Sequence, residues 1–506
     1  MSEPRRARLR PTMIGVVALA AASLAGFPIL NLTASDRASA DASQPSANRQ
    51  AMSGDPRLPG GRATARLKRF NRNAFSAPSG NLSFSRLLDF KIGNAIFRKL
   101  WVSSPASTAS SDGLGPLYNA RSCQRCHLKD GRGHPPAHAG DDAVSMLVRL
   151  SVPPLTEDER ALLASGKVAV LPEPTYGRQL QDLAVQGHGR EARVSLSYET
   201  HQVTLAEGEV VTLRKPRIAL DELGYGALRD DTMMSLRVAQ PMIGLGLLEA
   251  IPDADILARA DPEDADGDGI SGRPNRVWSN ARNSLALGRF GWKAGQPTLR
   301  SQTASAFAGD MGLSSSIDDA TAGDCTPRQT RCQSAPDGRD PDGRPEVRDA
   351  LFDLTVFYVS NLGVPPRRNM GAPDVQAGGK LFREIGCAAC HTPRHTTGAA
   401  PPRGKHLADQ VIYPYTDLLL HDMGEGLADG RPEAQASGRE WRTPPLWGIG
   451  LTQTVSGHTF FLHDGRARNL TEAILWHGGE AQRSRDAFAA LPARDRARLL
   501  AFLGSL

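Results

Sequence analysis

The chain has 506 residues, 40% of them apolar, which suits a folded protein of two or three domains able to enclose buried cofactors and excludes a disordered chain. Its net charge is +6, yet no Lys/Arg stripe interleaved with aromatics runs along it, so nucleic acid is not expected as a partner. The 50 glycines and 36 prolines predict many turns and long loops between short elements.

In chain order, the N-terminus reads as export machinery. Arg5, Arg6, Arg8 and Arg10 precede an uncharged, mostly apolar run over 13–30, and Ala38-Ser39-Ala40 offers a small-x-small cleavage site before Asp41. Residues 1–40 are expected to be a signal peptide. An uncleaved anchor is the alternative, because the run nearly reaches spanning length. Either way the folded part lies outside the cytoplasm, in the periplasm, and contacts a membrane only if the segment is retained. Residues 41–65 are polar and rich in Pro, Gly and Ser, as a tether would be. Short amphipathic pieces follow, such as 90–97, and lead into Cys123-Gln124-Arg125-Cys126-His127.

This CxxCH recurs as Cys387-Ala388-Ala389-Cys390-His391. Two residues between cysteines match the two vinyl positions of one porphyrin, and the adjacent His can turn under the ring to the iron. A redox CxxC would sit in a thioredoxin-like βαβ context, which is missing, and a zinc site would need two more ligands nearby. Two covalently bound c-type haems are expected. The remaining pair, Cys325 and Cys332, suits a short-loop disulfide in an oxidising compartment.

The segment 123–345 is longer than a minimal cytochrome c module needs. A helix at 157–165 and strand-like pieces at 191–198 and 209–213 predict a large insertion with some β structure. His134, His138 and Met146 follow the first motif, and the last two lie far enough along for the chain to cross a ring held there. Glu249, after the apolar run 242–248, is a candidate proton-transfer group, against a helix-end surface Glu. Asp261, Asp264, Asp266 and Asp268 alternate with glycines and can wrap a hard cation such as calcium, although Asn275 stands where an EF-hand has its Glu. Trp292 is a candidate electron relay, against an ordinary core Trp.

A charged, turn-rich stretch at 340–348 predicts a boundary near 345, giving an N-terminal haem domain over 66–345 and a C-terminal cytochrome c-like domain over 346–506. The expected fold is mainly α, with helices at 349–360 and 495–506. After the second motif come His421, Met423, His463 and His477. One of Met423, His463 and His477 is expected to ligate or flank iron; spacing does not choose between them.

Several strings taken together resemble the di-haem oxidoreductase family, often labelled thiol oxidoreductase, and more widely the bacterial di-haem cytochrome c peroxidases and MauG-like enzymes. They are Asp112-Gly-Leu-Gly-Pro116, the first motif through Gly133, Asp266-Gly-Asp-Gly-Ile-Ser-Gly-Arg273, Gly288-Arg-Phe-Gly-Trp-Lys293, Gly386 through Thr392, Leu420-His-Asp-Met-Gly-Glu-Gly426 and Phe461-Leu-His-Asp-Gly-Arg466. The resemblance implies two cytochrome c-like domains, one haem relaying electrons and the other meeting peroxide. In such peroxidases the distal ligand of the C-terminal haem follows a His-Asp-Gly turn by fourteen residues. Here the turn is His463–Gly465, and the matching position is His477, where peroxidases have Met and the methylamine-utilisation enzyme has Tyr. The thiol label finds no free cysteine once haems and disulfide are counted. The leading expectation is a peroxidase-type oxidoreductase served by a periplasmic electron donor or acceptor protein and a small oxidant such as peroxide. The alternatives are a carrier with both irons six-coordinate and a MauG-like oxidase acting on a partner protein.

Overall fold

The computed structural model describes residues 54–108, 110–137, 141 and 144–506. The leader expected at 1–40, the first part of the tether and His138 lie outside the described residues.

Each CxxCH is preceded by a helix that crosses another helix at a glycine. Helix Leu87–Arg98 gathers Phe90, Gly93, Ile96 and Phe97 on its buried side. That side meets helix Asp349–Ser360. A Cβ on Gly93 would lie 2.3 Å from the Leu354 carbonyl oxygen, so only glycine permits this approach. Phe90 and Phe97 then pack on Tyr358 with ring centroids 4.8 and 5.3 Å apart. Helix Pro373–Glu384 opens on a proline, whose missing N–H would have no helical partner there. It crosses the C-terminal helix Ala493–Ser505 at Gly378, where a Cβ would lie 1.9 Å from the Arg498 carbonyl oxygen. Phe382 meets Phe502 at 5.1 Å in that crossing. The helices expected at 349–360 and 495–506 are both present, but the first closes against the helix of the N-terminal motif, across the boundary expected near 345.

The expectation of a mainly α protein is corrected. The fold is mixed, and among the described residues the strands form six two-stranded antiparallel sheets. The longest is a ribbon of Arg193–Thr204 on Val210–Asp221, in register from Arg193↔Asp221 to Thr204↔Val210. The pieces expected at 191–198 and 209–213 are parts of this one hairpin. Its polar residues face water and break the apolar run that would have betrayed its length. A second pair joins Met146–Ser151 to Met233–Val238. Successive side chains of a strand point to opposite sides. Met146, Val148 and Leu150 therefore enter the apolar core, while Leu147 and Arg149 line an internal cavity. Helix Glu157–Ala164 carries a capping box between Thr156 and Glu159, as its Thr-x-x-Glu start predicts.

Two apolar cores hold these pieces together. One gathers Phe75, Trp101, Phe307, Phe352 and Trp447; the other gathers Met146, Trp292, Trp441, Phe488 and Phe502. Both draw on residues before and after 345, and the described residues from 54 onward form one compact unit. Cys325 and Cys332 are paired as a disulfide, with Cα atoms 6.2 Å apart.

Candidate functional site

The turn Cys123–Cys126 hands directly to His127, whose Nδ1 lies 2.7 Å from the Gln240 carbonyl oxygen. His391 repeats the arrangement, with Nδ1 3.0 Å from the Tyr415 carbonyl oxygen. A carbonyl only accepts, so Nδ1 carries the proton in both rings and Nε2 keeps its lone pair. Burial pushes both imidazoles down to about 4, so they are neutral at physiological pH. Neutral imidazole with Nδ1 donated to a fixed oxygen is the state in which His binds a metal. Cys123, Cys126, Cys387 and Cys390 are unpaired. Burial pushes the Cys123 and Cys387 thiols up to about 12, the reverse of a reactive thiolate.

One cavity of about 540 Å³ touches both motifs. Cys123, His127, Cys387 and His391 lie on its wall with apolar side chains such as Phe97, Phe307 and Leu499. Arg132, Arg149, Arg178 and Arg431 line it as well. Paired sulfurs beside a neutral imidazole, apolar walls and arginines suit a flat, apolar ring that carries two carboxylates. The residues fit haem at both motifs.

His477 follows helix Leu470–Leu475, which Asn469 caps by accepting from the Glu472 N–H. Its Nδ1 donates to the Ala473 carbonyl at 2.8 Å, leaving Nε2 free at the cavity wall. Burial lowers its pKa, and it lies close enough to His391 to disfavour protonation there. Met423 lines the same cavity, with its backbone against Gly478. His421 is different. Its Nε2 meets Asp417 Oδ2 at 2.8 Å and its Nδ1 meets Glu480 Oε2 at 2.7 Å. Burial opposes charge on this ring, but the two carboxylates prevail and hold it protonated, well above the ordinary His range. Neither nitrogen is left for a metal.

His463 stacks on Trp441 with centroids 3.6 Å apart and planes 11° apart, and Trp292 stands edge-on to it at 6.5 Å. Burial pulls His463 down to about 3. The Trp441 ring also receives Arg237 and Lys293, 4.7 and 4.6 Å from its centroid. Lys293 is 0% exposed; its Nζ donates to Asp429 at 2.9 Å and to the carbonyls of Arg431 and Ser437. Trp292 donates from Nε1 to the Val238 carbonyl at 2.8 Å and borders the cavity.

The remaining candidates sit elsewhere. Met146 packs in the core and does not line the cavity, because strand alternation turns it away. Glu249 is buried but is bound to Arg403 and to the Leu299 N–H, where it stops the open end of helix Leu299–Met311. In the acidic loop, the oxygens that converge within 4.8 Å belong to Asp261, Asp264 and Asp266. Asp268 is not in that trio; like the other three it accepts a backbone N–H, from Ile270. Sequence reasoning passed over Trp441, Gln240 and Arg442, which have no local pattern. Lys293 did leave a trace: with Arg289 it flanks the apolar, glycine-spaced string Phe290-Gly-Trp292.

No curated protein matches the chain. Among solved structures, one chain of Kuenenia stuttgartiensis hydrazine synthase, pressurised with xenon, is similar at 18% identity over 44% of this chain and 75% of that one; the TM-score is 0.23 and carries no argument about fold. A family described as "Di-haem oxidoreductase, putative peroxidase" matches residues 55–506. That match takes in both CxxCH motifs and every cavity residue named above, and the chain belongs to the di-haem oxidoreductase family, as an enzyme of the peroxidase type.

Proposed function

We propose that the chain is a periplasmic peroxidase-type enzyme with haem c attached at Cys123 and Cys126 over His127, and at Cys387 and Cys390 over His391. In this reading His391 and His477 would hold the second haem for electron relay, with Met423 as the neighbour that competes with His477, and peroxide would be reduced at the first motif. One observation carries the assignment: His477 is anchored as the two proximal histidines are, Nδ1 on a backbone carbonyl and Nε2 free. Of the ligands expected for the first motif, Met146 lies in the core and His138 lies outside the described residues, so among the described residues neither is a counterpart to His477. The two helix crossings, one beside each motif, support cytochrome c-like modules, with the first closed by helix Asp349–Ser360. Among the described residues no helix is long and apolar enough to cross a membrane, so contact with one would rest on the N-terminal segment.

When bound, haem would supply a one-electron iron couple at each motif and, at the first, an iron able to take a small oxidant. The chain does the rest. His127 and His391 are aimed by fixed carbonyls and stay neutral. Apolar walls keep water from the reacting centre. His463, held uncharged by burial, presents a neutral ring at the cavity wall, with Nε2 3.6 Å from Asp464 Oδ2. Trp292 and Trp441 flank it as the aromatic contacts through which the two motifs communicate. Converting peroxide to two waters takes two electrons, from a periplasmic donor protein, and two protons. Calcium at Asp261, Asp264 and Asp266 completes the reading. Adding calcium to chelator-treated protein then raises Tm, and an unchanged Tm removes calcium from the assignment.

Absorption and electron paramagnetic resonance spectra test the division of labour. The expected result is one low-spin and one high-spin haem, only the latter responding to peroxide. His477→Ala converts the low-spin signal and leaves the other in place. Two low-spin haems that ignore peroxide would make the protein a carrier.

A further inference from the structure

The two proximal imidazoles are joined by a path of hydrogen bonds, linked covalently within Gln240 and across Tyr415–Thr416, that passes through one buried arginine. His127 Nδ1 donates to the backbone carbonyl of Gln240, and the side-chain Oε1 of Gln240 accepts from Arg442 Nη2 at 2.8 Å. Arg442 Nη1 donates to the Thr443 carbonyl at 3.0 Å, and that oxygen also accepts from Thr416 Oγ1 at 2.6 Å. Thr416 follows Tyr415, whose carbonyl receives His391 Nδ1. The third guanidinium nitrogen, Nε, donates to the Gly291 carbonyl at 2.9 Å.

Arg442 ends the strand Glu440–Arg442, is 3% exposed and lines the cavity that touches both motifs. Every hydrogen-bond partner given above is a neutral oxygen, and among the described residues no carboxylate reaches ion-pair distance. Asp417, the charge that acts on it, is already engaged by His421. A guanidinium stays charged even when buried. A buried cation without a carboxylate at ion-pair distance weakens the fold. Its field is screened little in a low-dielectric interior and favours an electron arriving on either side.

We propose that Arg442 is a positioning residue shared by the two haems: it steadies the carbonyls that aim both proximal imidazoles, and its single charge raises both reduction potentials. The inference rests on the reading that His127 and His391 hold the two irons. Its signature is that one substitution moves two midpoints.

The experiment is a spectroelectrochemical titration of both haems in the holoprotein, with haem content measured on the same samples, for wild type, Arg442→Met, Arg442→Lys and Gln240→Leu. Arg442→Met is expected to lower both midpoints by about a tenfold change in the reduction equilibrium, ~59 mV for a one-electron couple. Arg442→Lys keeps the charge and recovers most of that shift. Gln240→Leu cuts one limb of the chain and moves only the first haem. Arg442→Met with two haems and with neither or only one midpoint moved overturns the proposal, as does Arg442→Lys falling as far as Arg442→Met. If Arg442→Met does not fold, Gln240→Leu decides: a shift of both midpoints, or of neither, overturns it. A wild type that does not carry two haems overturns the underlying reading instead, so the two failures are distinct.

Discussion

A histidine has two ring nitrogens, and the partner of each decides what the residue can do. His127, His391 and His477 give Nδ1 to backbone carbonyls and keep Nε2. His421, only two residues from Met423, gives both nitrogens to carboxylates and becomes a fixed cation beside Cys390. The sequence marks His127 and His391 by their CxxCH motifs but does not separate His421 from His477. Glu249 makes the same point for acids. It follows an apolar run, as a proton donor in a cavity might be expected to, but its Oε2 lies 2.5 Å from Arg403 Nε and its Oε1 accepts the Leu299 N–H at 2.9 Å. Breaking such a buried pair costs about 3 kcal/mol. Glu249→Gln is therefore expected to lower the free energy of unfolding by about that much in denaturant titrations, with haem spectra and peroxide turnover unchanged. A loss of turnover at full stability would restore the proton-transfer role.

At the scale of elements, the long ribbon ties the insertion to the C-terminal haem region. His201 meets Trp476, beside His477, with centroids 5.0 Å apart, and Arg468 Nη2 donates to the Thr212 carbonyl at 2.6 Å. At the ribbon tip, Glu207 accepts the Ala493 N–H at 2.9 Å, at the positive end of the C-terminal helix, and Glu209 pairs with Arg496 at 2.6 Å. Arg496 is buried and also donates to the Leu491 carbonyl. Arg496→Met should cost about 1–3 kcal/mol, the range for losing hydrogen bonds to a charged group. Amide exchange should quicken at 205–209 ahead of the rest of the chain; uniform exchange would mean that the tip is not held by this contact. The two glycine crossings were hidden for a related reason. Helices 349–360 and 495–506 are readable from their spacing, but which earlier helix each one meets is a long-range choice that Gly93 and Gly378 permit without announcing.

For the molecule as a whole, pH is the simplest probe of the interior. Glu191 is almost fully buried, and burial pushes its carboxyl up to about 8, although the Gln181 N–H and the Gln329 side chain donate to it at 2.6 and 2.5 Å. Its pKa in the unfolded chain is about 4.3. The folded state therefore binds the extra proton. The stability tied to this group is fully present below about 4.3 and is lost as pH rises through the folded value of about 8. Unfolding free energy should fall between pH 5 and pH 9, and the fall should be shallower in Glu191→Gln. Parallel pH profiles for the two proteins would assign the loss to another group.

The attachment chemistry is a local property. Two cysteines three positions apart with a histidine next to the second form a haem-attachment pattern that is read locally, because the ring sets that spacing; the export pattern and the Cys325–Cys332 pair are local in the same sense. The facing of Met146 is not local, since it depends on pairing with Val238 ninety-two residues later. Nor is the link between the two proximal histidines, which draws on Gln240, Thr416 and Arg442. Sequence alone marked the residues proposed to hold the two haems. Only the tertiary structure decided which imidazole keeps a free nitrogen and which buried charge lies between the motifs, because hydrogen-bond partners and burial are set by contacts between distant segments.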